Sequence, residues 1–182
     1  ARLGARVVSG PYLKGRGGQM DGAASVATGD VFVFLHADTL LPPLWHEAVE
    51  AALEDDSVVG GAFRLQIDGT GFFFRLVEMG VGLRCRALGL IYGDQAIFVR
   101  REAFFRAGGF CKLPLMEDVD CVRRLRKAGR VVVLDKSVRT SARRWEEKGR
   151  LANTVRNWFF LALYFIGIFP EAIYRRYYSG GR

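Results

Sequence analysis

The apolar positions of this chain fall into short runs and helical stripes that alternate along its length. Val31-Phe32-Val33-Phe34-Leu35, entered through Gly29-Asp30, is five apolar residues in a row. That is the pattern of a strand covered on both faces, and it predicts a central strand over 30–35. Leu44, Ala48, Val49, Ala52 and Leu53 recur at helical spacing and predict a helix over 44–53. The stretch 58–67 alternates well enough for a strand, which Gly60-Gly61 would break. Phe73, Leu76, Val77 and Val81 mark the inner side of a long helix over 72–88. A short strand follows at 95–99, then a helix at 102–107 ended by Gly108-Gly109-Phe110. A helix at 117–128 capped by Gly129, a strand at 131–134 and a further one at 138–141 complete this part. Ahead of the central strand the pattern is weaker. It predicts a short strand at 5–8, a Gly-rich basic loop at 9–18 and a helix at 19–27. From Trp145 the chain reads as helical to about Tyr178, with a break at Pro170. Strands alternating with helices define an α/β architecture.

Composition narrows the classes. The chain's 182 residues suffice for one domain with a proper core. The 27 Lys and Arg against 19 Asp and Glu leave a net charge of +8, which favours anionic partners without choosing among them. Nucleic acid is the weakest of these. The aromatics sit in apolar runs rather than alternating with Lys and Arg on a strand face. Cys85, Cys111 and Cys121 are odd in number and widely spaced, which argues against a disulfide framework and a zinc site. Reduced thiols in a cytosol-like compartment are expected. The first residues lack the apolar core of a signal peptide. They read as the end of a helix, a Gly cap and a strand, so an earlier strand and helix are expected to be missing.

Four polar clusters could carry chemistry. Lys14-Gly15-Arg16-Gly17-Gly18-Gln19 leads into a helix and suits phosphate binding, although a plain flexible loop reads the same way. His36-Ala37-Asp38 follows the central strand, where open α/β sheets bind ligands. Asp38 there is either a hard-oxygen ligand for a phosphate-borne cation or the cap of the next helix. Tyr92-Gly93-Asp94-Gln95 enters a strand, and Asp94 also fits a simple turn. Glu117, Asp118 and Asp120 crowd one helical first turn, where they complement the macrodipole. The apolar Leu113-Pro114-Leu115-Met116 before them would press this helix start inward, which also suits a general base.

Taken together these clusters resemble a known family. The chain reads Gly15-Arg16-Gly17-Gly18-Gln19-Met20-Asp21-Gly22-Ala23-Ala24, close to a Gly-Arg-x-x-Gln-Met-Asn-x-Gly-Ala pattern. With Phe34-Leu35-His36-Ala37-Asp38-Thr39, Gly93-Asp94-Gln95, Met116-Glu117-Asp118-Val119 and Ser141-Ala142-Arg143-Arg144-Trp145, it is similar to family 2 glycosyltransferases. More narrowly it resembles their small selenodomain-associated subgroup. The resemblance implies a GT-A (Rossmann-like) open mixed sheet flanked by helices. That domain would be amino-terminally incomplete over 1–145, with a helical carboxyl-terminal extension over 146–182.

The resemblance also implies roles. Asp38, with His36 where most relatives have a first Asp, would hold Mn²⁺ or Mg²⁺ on a nucleotide-diphosphate-sugar. Asp118 would be the catalytic base of an inverting transfer to an acceptor hydroxyl, with Glu117 beside it. Arg16, Gln19, Asp94, Gln95, Arg144 and Trp145 would bind the donor. Lipid-linked acceptors are common among relatives. The run at 158–169 is rich in aromatics, flanked by arginines and too short for the roughly 20 residues of a membrane span. It fits an anionic membrane surface, and equally a core helix. The expected location is cytoplasmic, either free or peripheral at the inner face of a membrane. The alternative is a catalytically inactive, membrane-peripheral scaffold that keeps the fold.

Overall fold

A computed structural model describes residues 4–10, 15–110, 115–149, 155, 159 and 161–166, without the side chains of Arg144 and Lys148. In chain order the elements are α1 (Gly15–Val26), β1 (Val31–Phe34), β2 (Thr39–Leu40), α2 (Trp45–Leu53), β3 (Val58–Asp68) and α3 (Phe72–Leu88). A 3₁₀ turn (Gly93–Gln95), β4 (Ile97–Arg100), α4 (Arg101–Arg106), α5 (Glu117–Ala128), β5 (Arg130–Ser141) and α6 (Arg143–Lys148) follow. The strands form one mixed sheet in the order β1-β4-β3-β5-β2. Among the described strands only β3 and β5 run parallel; every other pair is antiparallel. This is the α/β sheet that the alternating pattern predicts.

Several expectations are corrected. β1 is not central: among the described strands it pairs with β4 alone, and only Phe32 on it is buried. Its apolar run is covered from above and below. Val31 and Val33 meet one core, Phe32 and Phe34 the other. A continuous apolar run reports two covered faces, and it is silent on strand neighbours. β3 is not broken at Gly60-Gly61 but runs through them. A Cβ on Gly60 would lie 2.5 Å from the Phe98 carbonyl oxygen, and one on Gly61 2.4 Å from that of Val132. The glycines therefore let β4 and β5 close on β3 from either side. β5 is likewise one strand, where two were expected. Between the pairs Ala62–Val133 and Arg64–Ser137, β3 advances two residues and β5 advances four, so the extra residues bulge out. Arg64 meets Asp135 across the bulge at 2.5 Å. Residues 5–8 form no strand, and α1 begins at Gly15, inside the stretch expected to be loop.

Among the described residues three apolar clusters form the core. Phe63, Leu65, Ile67 and Phe98 on the sheet pack with Val49 of α2 and Phe74 of α3. Phe32 and Val99 pack with Ala24 of α1, Ala103 and Phe104 of α4, and Cys121 and Leu125 of α5. Ala62 and Ile97 meet Cys85 of α3 and Val122 of α5. Phe63, Phe74 and Phe98 are fully buried. At roughly 1.5–3 kcal/mol for each large side chain, such burial is the main term holding the layers together. Cys85 and Cys121 are buried free thiols; Cys111 lies outside the described residues. α6 runs through the expected domain boundary at 145/146. Residues 155, 159 and 161–165 are helical, and the rest of the expected carboxyl-terminal helix lies outside the described residues. No described helix is long and apolar enough to cross a membrane.

Gly60→Ala tests the close approach. The nearest atoms are β4 backbone, which cannot yield as a side chain would. The substitution should lower the unfolding free energy by about 2 kcal/mol. In urea this reads as a lower midpoint with an unchanged slope; an unchanged midpoint would show that β4 gives way.

Candidate active site

The first turn of α5 brings the polar clusters together. Met116 precedes it in a left-handed conformation, φ 65°, which is strained for a residue with a side chain. Beyond it Glu117, Asp118 and Asp120 are all buried. Asp120 is occupied by its own surroundings. It accepts from Arg124 Nε at 2.8 Å and Arg123 Nη2 at 3.1 Å, and from the Tyr164 hydroxyl at 3.4 Å. Glu117 and Asp118 meet Arg16, which lies on the first turn of α1. Arg16 Nε donates to Glu117 Oε1, and Arg16 Nη2 donates to Asp118 Oδ2 at 3.2 Å. These contacts are made from the stretch where α1 starts ahead of its expected position. Gly15–Gly18 is helical although glycine disfavours helix, and Arg16 makes both contacts from within it.

The 3₁₀ turn closes the cluster from the other side. The Gly93 N–H donates to Asp118 Oδ2 at 2.7 Å, and the Val119 N–H donates to Asp118 Oδ1 at 2.8 Å. His36 comes in from the end of β1. A Cβ on Gly93 would lie 2.8 Å from His36 Nε2 and 3.2 Å from Asp118 Oδ2. Only glycine lets these three groups converge. Asp94 is half-buried in the same turn, and its charge reaches both Arg16 and Tyr92. Thus Arg16, His36, Gly93-Asp94 and Glu117-Asp118, from four separate stretches of sequence, share one pocket of charge.

Electrostatics follow from this burial. Burial alone would lower the Arg16 pKa, but Asp118 and Glu117 outweigh it and hold the guanidinium above its ordinary value. Burial pushes Glu117 up, with the adjacent Asp118 charge adding to it and Arg16 opposing. Burial likewise pushes the Tyr92 phenol up to about 12, so it stays neutral.

Asp38 sits nearby along the chain in a different setting. His36 to Thr39 form a β-turn closed by the Thr39 N–H on the His36 carbonyl at 3.1 Å. Asp38 is half-buried on this turn, and its carbonyl accepts from the Ser141 N–H at 3.0 Å. The end of β5 and the start of α6 are thereby tied to the Asp38 turn. It is a turn residue and caps nothing in α2, whose preceding residue, Leu44, makes no side-chain cap. Among the described residues no three His, Cys, Asp or Glu side chains converge to hold a metal. The described residues by themselves thus form no metal cage. One carboxylate with a hard oxygen does fit a cation that arrives on a diphosphate.

The remaining expected residues are spread out. Gln19 is exposed on α1, one turn beyond Arg16. Arg144 lies on α6, with its side chain outside the described set. Trp145 is half-buried against the first core, edge-on to Phe74 with centroids 6.4 Å apart. Gln95 is buried, and its amide is spent within the protein. Nε2 donates to the Phe63 carbonyl at 3.0 Å and Oε1 accepts from the Tyr92 N–H at 3.3 Å. Sequence reasoning marked the Tyr92–Gln95 cluster but passed over Gly93 as a donor, Tyr92 as a stacking partner, and Arg84 of α3. Arg84 is buried and stacks on the Tyr92 ring at 3.6 Å. An arginine on the apolar stripe of α3, in line with Phe73, Val77 and Val81 at helical spacing, was the available signal.

The sequence profile described as Glycosyl transferase family 2 matches residues 1–115, and the chain belongs to that family. Its mixed α/β sheet with flanking helices accords with the GT-A, Rossmann-like fold of such enzymes. The matched segment holds Arg16, His36, Asp38 and the 3₁₀ turn, while Glu117 and Asp118 lie just beyond it. No curated protein matches the chain. Family membership supports glycosyltransferase activity, with a nucleotide-sugar donor and an acceptor.

The Glu117 shift makes stability depend on pH. The folded state holds this proton more tightly than the unfolded chain. That contribution to stability is full below the unfolded pKa and is lost as pH rises through the folded one. Glu117→Gln should therefore melt higher than the wild type near neutral pH, with the gap closing below about pH 4. Thermal melts between pH 4 and 8 check this, and a gap independent of pH would exclude it.

Proposed function

We propose that this chain transfers a sugar from a nucleotide-diphosphate donor to an acceptor hydroxyl, with inversion, and that Asp118 is the base. The observation that carries the reading is the position of Asp118. It is buried, fixed by Arg16 and by the Gly93 N–H, and shares the pocket with His36. Each carboxylate oxygen has two lone pairs, and Oδ1 accepts one bond, from Val119. It keeps a lone pair for the acceptor proton. Asp118 takes that proton as the acceptor oxygen attacks the anomeric carbon. The bond from that carbon to the diphosphate oxygen breaks, and the nucleoside diphosphate leaves with the electron pair. One displacement inverts the centre, so no enzyme nucleophile is needed.

Arg16 has N–H groups beyond the two that meet Glu117 and Asp118, and its side chain is 40 % exposed. Those groups suit a donor phosphate. Asp38 would anchor a Mn²⁺ or Mg²⁺ ion carried on the diphosphate, which supplies charge neutralisation for the leaving group. Gln19, Asp94, Arg144 and Trp145 are proposed to complete the donor surface. Gln95 contributes by holding the 3₁₀ turn.

Substitutions separate these roles. Asp118→Asn should abolish transfer while donor affinity by calorimetry stays within about threefold, since shape is kept and one charge is lost. Asp38→Ala should leave the melting temperature intact and remove metal-dependent donor binding. Near-normal turnover in Asp118→Asn would overturn the base assignment. Metal-dependent binding that survives Asp38→Ala would overturn the ion's placement.

A lipid-linked acceptor, and with it an anionic membrane surface, is the proposed partner class. Its support is apolar exposure: Phe159, Phe165 and Ile166 face outward, as do Phe72, Met79 and Leu83 on α3. The net charge of +8 suits anionic headgroups. The chain should co-sediment with anionic vesicles, less so in high salt, and binding should fall when Phe159 and Phe165 become Ser in a variant that still melts cooperatively. Absence of binding to any vesicle would exclude this partner.

A further inference from the structure

Arg84 is a buried cation whose partners, among the described residues, are a carbonyl, an amide and a ring rather than a carboxylate. It is 6 % exposed. Nε donates to the Leu90 carbonyl at 3.1 Å, and Nη2 donates to Gln95 Oε1 at 3.4 Å. The guanidinium lies 3.6 Å from the centroid of the Tyr92 ring. Burying a charge without a counter-ion is expensive, and an apolar residue would fill this space at lower cost. What the guanidinium adds is direction. It binds two acceptors in its plane and a ring on its face, which neither methionine nor lysine can reproduce.

All three contacts lie on the segment from Leu90 to Gln95, and that segment carries the Gly93 N–H. Gln95 is itself anchored to Phe63 of β3. Arg84 thus ties the 3₁₀ turn to α3 while Gln95 ties it to the sheet. Between those ties Gly93 reaches Asp118 at 2.7 Å. We infer that Arg84 is a positioning residue: through Tyr92 and Gln95 it sets the Gly93 N–H on Asp118, and so fixes the carboxylate that reacts. The functional half of this inference rests on the reading of Asp118 as base; the geometric half does not.

Tyr92-Gly93 is the sole Tyr-Gly pair in the sequence. Labelling tyrosine with ¹³C at the carbonyl and glycine with ¹⁵N therefore isolates the Gly93 amide as one NMR signal. A charge-assisted bond to a carboxylate moves that proton downfield, and Asp118→Asn, which removes the charge, calibrates the shift. Arg84→Met should move the signal upfield by most of the same amount. Arg84→Lys, which keeps the charge and most of the volume, should move it by an intermediate amount, and it covers the case in which the Met variant fails to fold. In the same proteins kcat should fall about tenfold or more with the donor KM little changed, since geometry at the reacting group is lost and binding is not. A Gly93 signal at its wild-type position in a folded Arg84 variant overturns the inference. A shifted signal with unchanged turnover upholds the geometric link and overturns the role of Asp118 instead.

Discussion

Two neighbouring carboxylates on one helical turn, both buried, repel each other and lose their water. The arrangement of this protein around Glu117 and Asp118 answers that problem. Arg16 supplies the opposing charge from α1, and Gly93 and Val119 supply backbone N–H groups. Each answer has a consequence for the chain. Arg16 can arrive only if Gly15–Gly18 is wound into helix, which draws α1 against α4 and α5 through Ala24. Gly93 can arrive only without a side chain, because His36 occupies the adjacent space. Residual strain remains at Met116, where the backbone turns left-handed to present the pair inward.

The sheet supplies the rigid frame for that cluster. β3 lies at its centre, and Gly60 and Gly61 let β4 and β5 approach it closely. β4 then leads back through the 3₁₀ turn to Gly93, and β5 ends at Ser141, whose N–H holds the Asp38 turn. The base side and the metal side of the proposed site are therefore anchored to different strands of one sheet. Close packing makes that frame stiff, so a displacement at the glycines is felt at both sides.

Charge is divided by function across α5. Asp120 sits two residues beyond Asp118 and points to Arg123, Arg124 and Tyr164, where it holds the helix and the loop after α4. Asp118 and Glu117 point to Arg16. A structural carboxylate and a pair that faces Arg16 thus share one turn of helix, with Asp120 about 200° around the axis from Asp118 at roughly 100° per residue.

The sequence by itself determined the α/β class, the bounds of α3 and α5, and the motifs that mark Arg16, His36, Asp38, Asp94, Glu117 and Asp118. Those are local properties: apolar period, Gly caps, and polar residues at strand ends each act over a few residues. Tertiary structure alone decided that β1, among the described strands, pairs with β4 alone, that β3 and β5 run unbroken, and that α1 starts at Gly15. It also decided that Gln95 faces the interior and that Arg84 stands behind the 3₁₀ turn. The reason is physical. A run of apolar side chains records that a face is covered and does not record by what. A charged residue is chemically the same whether its partner is solvent, a substrate or Glu117 a hundred residues away, and only the packed chain brings that partner within reach.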